Sequence, residues 1–293
     1  MDRRSFLLSA LAAPGLRAQS ADPTPAAPQD WVCPMDADYR SDKPGVCPRC
    51  GMKLILGVPP EREYRLDLDM QPPALRVGEK TELTFRVRDP GTNQVVKDFT
   101  IMHEKLFHMF IVSQDMTYFV HDHPQPQPDG SFRYVETFPQ PGMYRILGDF
   151  YPTAGTPQLI ARTAIVPAPG NAAPVLAYAN LAADVSPKQG INLQASLTTD
   201  PPQPLAGFKT LVFFELNPAQ GLQKYIGAWA HMLAASDDLV DMIHSHPFIA
   251  DGGPKMQFNL IFPRARTYRI WVQMQREGVV NTFAFNVPVK ELS

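Results

Sequence analysis

Two stretches of this chain constrain its fold more than any other feature. The segment "HMFIVSQDMTYFVHDHP" at 108–124 aligns without a gap with "HMLAASDDLVDMIHSHP" at 231–247. Both open on His-Met, both carry aspartate at the eighth position, Asp115 and Asp238, and both close on His-x-His-Pro. Downstream, "FPQPGMYRI" and "FPRARTYRI" correspond through Phe138/Phe262 and Tyr144/Tyr268. A repeat of this kind is most simply an internal duplication, so two copies of one topology are expected.

The material between the repeated segments says which topology. Runs rich in β-branched and aromatic residues at 64–70, 80–89, 106–113, 117–123, 131–138, 143–151 and 158–166 alternate with Pro, Gly and Asp turns. Proline, at 31 of 293 residues, is about twice its average usage of roughly 5%, which favours strand ends and loops over long helices. Seven short strands at this spacing predict an antiparallel β-sandwich of immunoglobulin- or cupredoxin-like type. A Pro/Ala-rich junction, "VPAPGNAAP", separates the copies, giving expected domains at 61–168 and 174–290.

Six of the seven histidines lie in the repeated segments, three per copy. His121 and His123, like His244 and His246, are two apart on a predicted strand, so their rings project from one face. His108 or His231 begins the preceding strand. If the two strands pair through the turn at Asp115 or Asp238, three imidazoles converge, a set suited to copper(II) or zinc with one coordination position left open. His103, Met109 and Met116 in the first copy, and Met232 and Met242 in the second, are further candidates. His103 corresponds to Ile226, so the first set is expected to be the tighter. The alternative is that these histidines are fold residues that cap turns and satisfy backbone groups.

All three cysteines fall in "VCPMDADYRSDKPGVCPRCGM" at 32–52. Cys47 and Cys50 make a C-x-x-C turn, and Cys33 opens a second turn in which Asp36 stands three residues on. Two facing knuckles make a four-ligand site of Cys33, Asp36, Cys47 and Cys50. Met35 and Met52 add thioethers, which favour soft ions such as copper(I) or silver. The stretch resembles the heavy-metal-binding domain found on copper/silver efflux adaptors and metal-transporting P-type ATPases, whose pattern is Cys-Pro-Met-His followed by Cys-Pro-x-Cys-Gly-Met. That resemblance, over 31–57 within an expected domain at 30–57, implies a copper or silver site, with zinc as the alternative. Asp36 replaces the family's histidine, so the fourth position is either a harder ligand or is filled by Met35, Met52 or water.

The N-terminal "MDRRSFLLSALAAPGLRAQ" resembles a twin-arginine export signal over 1–18, through Arg3, Arg4, Phe6 and Leu7, followed by a Pro/Ala linker at 19–29. Its apolar run is too short to span a bilayer. With a net charge of −2 and no basic cluster farther on, nucleic acid is not an expected partner. Neither Gly-x-Ser-x-Gly nor His-Glu-x-x-His occurs, and no cysteine lies within the β-domains to serve an electron-transfer copper. The expectation is a periplasmic or extracellular, non-enzymatic metal-binding protein that works with an envelope partner in metal efflux or delivery. A copper-dependent oxidoreductase is the minor alternative. A cell-envelope interaction module with a structural zinc knuckle is the rival from another class.

Overall fold

The computed structural model describes residues 31–36, 39–57, 63–153, 155–174 and 179–292. The expected export signal and linker lie outside the described residues.

Three two-residue strands, β1 (Trp31–Val32), β2 (Arg40–Ser41) and β3 (Ile55–Leu56), form a small antiparallel sheet with β1 central. It folds over buried Cys33, Cys47 and Leu54. So small a core cannot order a loop of this length unaided, which fits a unit that relies on metal ligation.

The rest of the described chain is two β-sandwiches. In the first, β4 (Arg65–Gln71), β5 (Lys80–Arg88), β8 (Gln125–Pro126) and β9 (Phe132–Thr137) make one sheet, ordered β4-β5-β9-β8. The other holds β6 (Phe107–Ser113), β7 (Phe119–Asp122), β10 (Gly142–Phe150) and β11 (Gln158–Val166), ordered β11-β10-β6-β7. The second sandwich repeats this plan. Its first sheet contains β12 (Lys188–Gln189), β13 (Gln194–Asp200), β14 (Lys209–Asn217) and β18 (Lys255–Ile261). Its second contains β15 (Leu222–Gln223), β16 (His231–Ser236), β17 (Met242–Ser245), β19 (Thr267–Arg276) and β20 (Val279–Pro288). The duplicated segments occupy matching hairpins: Phe110 faces His121 across β6/β7, and Leu233 faces His244 across β16/β17.

Every residue of β6 and of β16 is buried, because each strand is covered on both faces. Met109 and Ile111 enter the first sandwich core, and Met232 and Ala234 the second. Their neighbours point the other way, into a third apolar cluster in which Phe110, Val112, Met116 and Leu147 meet Leu233, Ala235, Leu239 and Trp271. Phe119 stacks on Trp271 there, with ring centroids 4.8 Å apart and planes at 7°. The two sandwiches are thus joined through their histidine-bearing sheets. A strand apolar on both sides reads as a continuous run, as "FIV" and "LAA" do.

Two duplicated turns set the hairpins. Asp115 accepts hydrogen bonds from Ser113 Oγ (2.5 Å) and the Thr117 amide (3.1 Å), and Asp238 accepts from Ser236 Oγ (2.6 Å) and the Val240 amide (3.3 Å). The repeated aspartates are therefore turn residues. The approach to β6 and β16 is a tight two-residue turn in each copy, closed by paired backbone bonds between Met102 and Lys105 and between Tyr225 and Ala228. Its central residues are left-handed: His103 (φ 43°) and Glu104 (φ 67°), Ile226 (φ 49°) and Gly227 (φ 72°). Glycine takes this conformation readily, but histidine and isoleucine do so only where the surroundings compel it.

Candidate metal centres

Register alone brings each histidine triplet together. Because Met109 faces Asp122, the next residues outward, His108 and His123, lie side by side, with His108 Nδ1 and His123 Nε2 3.1 Å apart. His231 Nδ1 and His246 Nε2 are 2.9 Å apart in the second copy. In each set, His108/His121/His123 and His231/His244/His246, one ring nitrogen per residue lies within 4.8 Å of the others.

The partners of the remaining nitrogens fix which ones are free. His108 Nε2 lies 3.0 Å from the Met102 carbonyl, and His231 Nε2 lies 2.7 Å from the Tyr225 carbonyl. A carbonyl only accepts, so each Nε2 carries the proton and each Nδ1 turns a lone pair inward. His121 Nδ1 donates to Gln273 Oε1 at 2.7 Å, and His244 Nδ1 donates to Asp149 Oδ2. The Nε2 atom of His121 is then a bare acceptor, and the Nε2 atoms of both His121 and His244 are buried with no hydrogen-bond partner among the described residues. A buried polar atom left unpaired is costly, and a bound cation removes that cost. Imidazoles held by a carbonyl or carboxylate on the far nitrogen are the usual form of a ligating histidine.

Asp149 and Gln273 were invisible as site residues in the motif. They occupy equivalent places, opposite His108 on β10 and opposite His231 on β19, five residues after the aligned Tyr144 and Tyr268. Each reaches across to the other sandwich. The two sets also approach each other: ring centroids of His108, His121, His231 and His244 stand 5.2 to 6.2 Å apart between copies. His103 likewise crosses the interface. Its ring lies 3.6 Å from that of His246 and 5.8 Å from that of His231, beside the second set and not in its own. The expectation that His103 strengthens the first set is therefore corrected, and the left-handed turn is the reason.

Burial, and secondarily the proximity of other histidines, favours the neutral form of His103, His108, His121, His123, His231 and His246. It lowers His103 and His108 to about 4, His123 to about 3 and His231 to about 2, and takes His121 and His246 well below the ordinary range. Neutral imidazole is the ligating form. The methionines play no part in the sets: Met109 and Met232 are sandwich-core residues, and Met116 and Met242 belong to the interface cluster.

In the N-terminal unit, Cys33, Cys47 and Cys50 are free thiols, and they converge with Asp36 inside the same 4.8 Å limit. Cys33 Sγ is 3.4 Å from Cys50 Sγ, and Cys47 Sγ is 3.4 Å from Asp36 Oδ2. Burial pushes the Cys33 and Cys50 thiols above their usual range, so an incoming ion must displace protons to bind thiolate. Three thiols and a carboxylate about one point fit a tetrahedral ion. Met52 instead packs with Met102 and Tyr151 of the first sandwich, and Met35 flanks both clusters. A cleft of 1180 Å³ links the regions, with Met35, Asp36 and Cys50 on one wall and His103, Asp149, His244 and His246 on another. Among the described residues no helix is long and apolar enough to cross a membrane.

Comparison with known proteins agrees with this division. A heavy metal binding domain matches residues 31–55. A domain of unknown function, DUF8832, matches twice, over 61–167 and 190–291. No curated protein matches the chain. Among solved structures, the Escherichia coli adhesin FdeC aligns over 80% of this chain and 67% of its own at 12% identity and a TM-score of 0.25. Trypsin-activated alpha-2-macroglobulin from Escherichia coli aligns over 78% of this chain and 15% of its own, also at 12% identity and a TM-score of 0.25.

Proposed function

Since the chain belongs to the DUF8832 family and carries a heavy metal binding domain ahead of the duplicated unit, we propose that it is an exported, non-enzymatic protein that captures and holds copper or silver for metal tolerance. The Cys33/Asp36/Cys47/Cys50 cluster takes the monovalent soft ion. The two histidine sets take copper(II), with zinc the competing occupant. An efflux or delivery partner in the cell envelope receives the metal.

One observation carries this reading: the buried, unpartnered Nε2 atoms of His121 and His244, each with its opposite nitrogen pinned by a residue of the other sandwich. A histidine kept only for packing or capping has no need of a buried, unpartnered ring nitrogen within 4.8 Å of two others. The rival reading, a docking module with structural histidines, leaves that feature without a cause.

The experiment is metal analysis of the full-length protein purified from the periplasm, beside a variant with Cys33, Cys47 and Cys50 all changed to serine. Copper in both, reduced but not lost in the variant, supports the reading. Copper absent from both removes it. Replacing Arg3 and Arg4 with lysine should strand the precursor in the cytoplasm, and unaltered export would remove the twin-arginine route.

A further inference from the structure

We infer that the six histidines form one dinuclear centre across the sandwich interface, whose two ions sense each other and whose His231/His244/His246 half fills first. This rests on the metal reading above, and adds that the sites are neither independent nor equal.

The coupling follows from position. Four rings, two from each set, surround a common region with centroids 5.2 to 6.2 Å apart between copies. Phe110 fills part of it, stacked 4.4 Å from His121 and edge-on 4.8 Å from His244. Ions bound in the two sets would be separated by little more than these largely buried rings. Like charges at such range repel strongly, and two divalent ions repel about four times as much as two monovalent ions. The second ion therefore binds more weakly than the first, and more so for copper(II) than for copper(I).

The inequality follows from one change between the copies. The brace behind His244 is the carboxylate of Asp149, 7% exposed. The equivalent brace behind His121 is the neutral amide of Gln273, whose own Nε2 donates to Thr282 Oγ1 at 3.1 Å. A carboxylate behind an imidazole raises its basicity as a ligand and supplies a negative charge to offset the ion, while an amide only orients the ring. Access points the same way. Asp149, His244, His246 and His103 line the cleft, whereas His108, His121 and His123 do not. The second set thus has both the compensating charge and the opening, and the first set is loaded behind it.

The test uses the full-length chain with Cys33, Cys47 and Cys50 changed to serine, so that no thiol reduces the probe. Copper(II) is added stepwise and followed by electron paramagnetic resonance. The first equivalent should give an isolated signal with nitrogen couplings. The second should bind about tenfold or more weakly and bring dipolar broadening and a half-field transition. Asp149→Asn, which keeps a hydrogen-bond acceptor and removes the charge, should weaken the first step by about 10- to 100-fold. Gln273→Glu should narrow the gap by strengthening the second. Two equal steps with unbroadened signals, or steps unchanged in both variants, overturn the inference while leaving metal binding intact. No copper bound at all overturns the metal reading itself.

Discussion

Asp149 and His244 lie on different sandwiches, yet the Asp149 carboxylate accepts the Nδ1 proton of His244, and the reciprocal pair, Gln273 and His121, does the same in the opposite direction. Neither histidine set is complete without a side chain from the other copy. On the proposed function, metal binding at the centre and docking of the sandwiches are coupled.

Metal should therefore stabilise the whole duplicated unit. An ion at a thousandfold excess over its dissociation constant contributes about 4 kcal/mol. Calorimetry of the copper-loaded protein should show one sharper transition at higher temperature. Changing His121 and His123 together to alanine should forfeit about one ion's share of that gain.

The interface can be weakened away from the histidines. Trp271 is 4% exposed and stacked on Phe119, and truncating a buried tryptophan costs about 3–5 kcal/mol. Trp271→Ala should split thermal unfolding into two transitions as the sandwiches lose their shared cluster. A single transition at the wild-type temperature would show that the cluster contributes little.

The metal-free protein should be acid-sensitive. Burial holds His103 and His108 at about 4 and His123 at about 3, against about 6.5 in an unfolded chain. Between these values the unfolded state binds more protons, so stability rises with pH and falls as pH drops below about 6.5. Each such histidine contributes a slope of roughly 1.4 kcal/mol per pH unit until its folded pKa is reached. Denaturant midpoints between pH 7 and pH 5 measure this, and a midpoint that is flat across that window would contradict neutral, buried rings.

At the N-terminal cluster, Asp36 Oδ2 is 3.4 Å from Cys47 Sγ and 3.9 Å from Cys33 Sγ. Asp36→His replaces a hard carboxylate with imidazole and should tighten zinc more than copper(I). Competition with a chromophoric chelator reads both affinities. If neither moves, Asp36 is not a ligand.

Much of this was legible in the chain itself. Strand positions followed from local pattern: the run at 158–166 is β11 to the residue, and that at 80–89 is β5 with one residue more. The histidine triplets followed from the hairpin pattern, because side chains alternate along a strand and register does the rest. What was hidden is tertiary. Nothing in "HMFIVSQDMTYFVHDHP" says which face meets the other copy, and only the run of apolar residues on both sides of β6 hints that one does. Asp149 and Gln273 differ chemically, so comparing the repeats marks them as divergent although they share a role. His103 reads as an extra ligand of the first set until its left-handed turn carries it over to His246.

The most direct measurement is anomalous diffraction at the copper edge from crystals of the full-length protein loaded with copper. The account predicts two peaks between the sandwiches, one within each histidine set, at about 2.0 Å from the Nε2 atoms of His121 and His244, and a third among Cys33, Asp36, Cys47 and Cys50. A single peak at the cysteines, with none near the histidines, would contradict it.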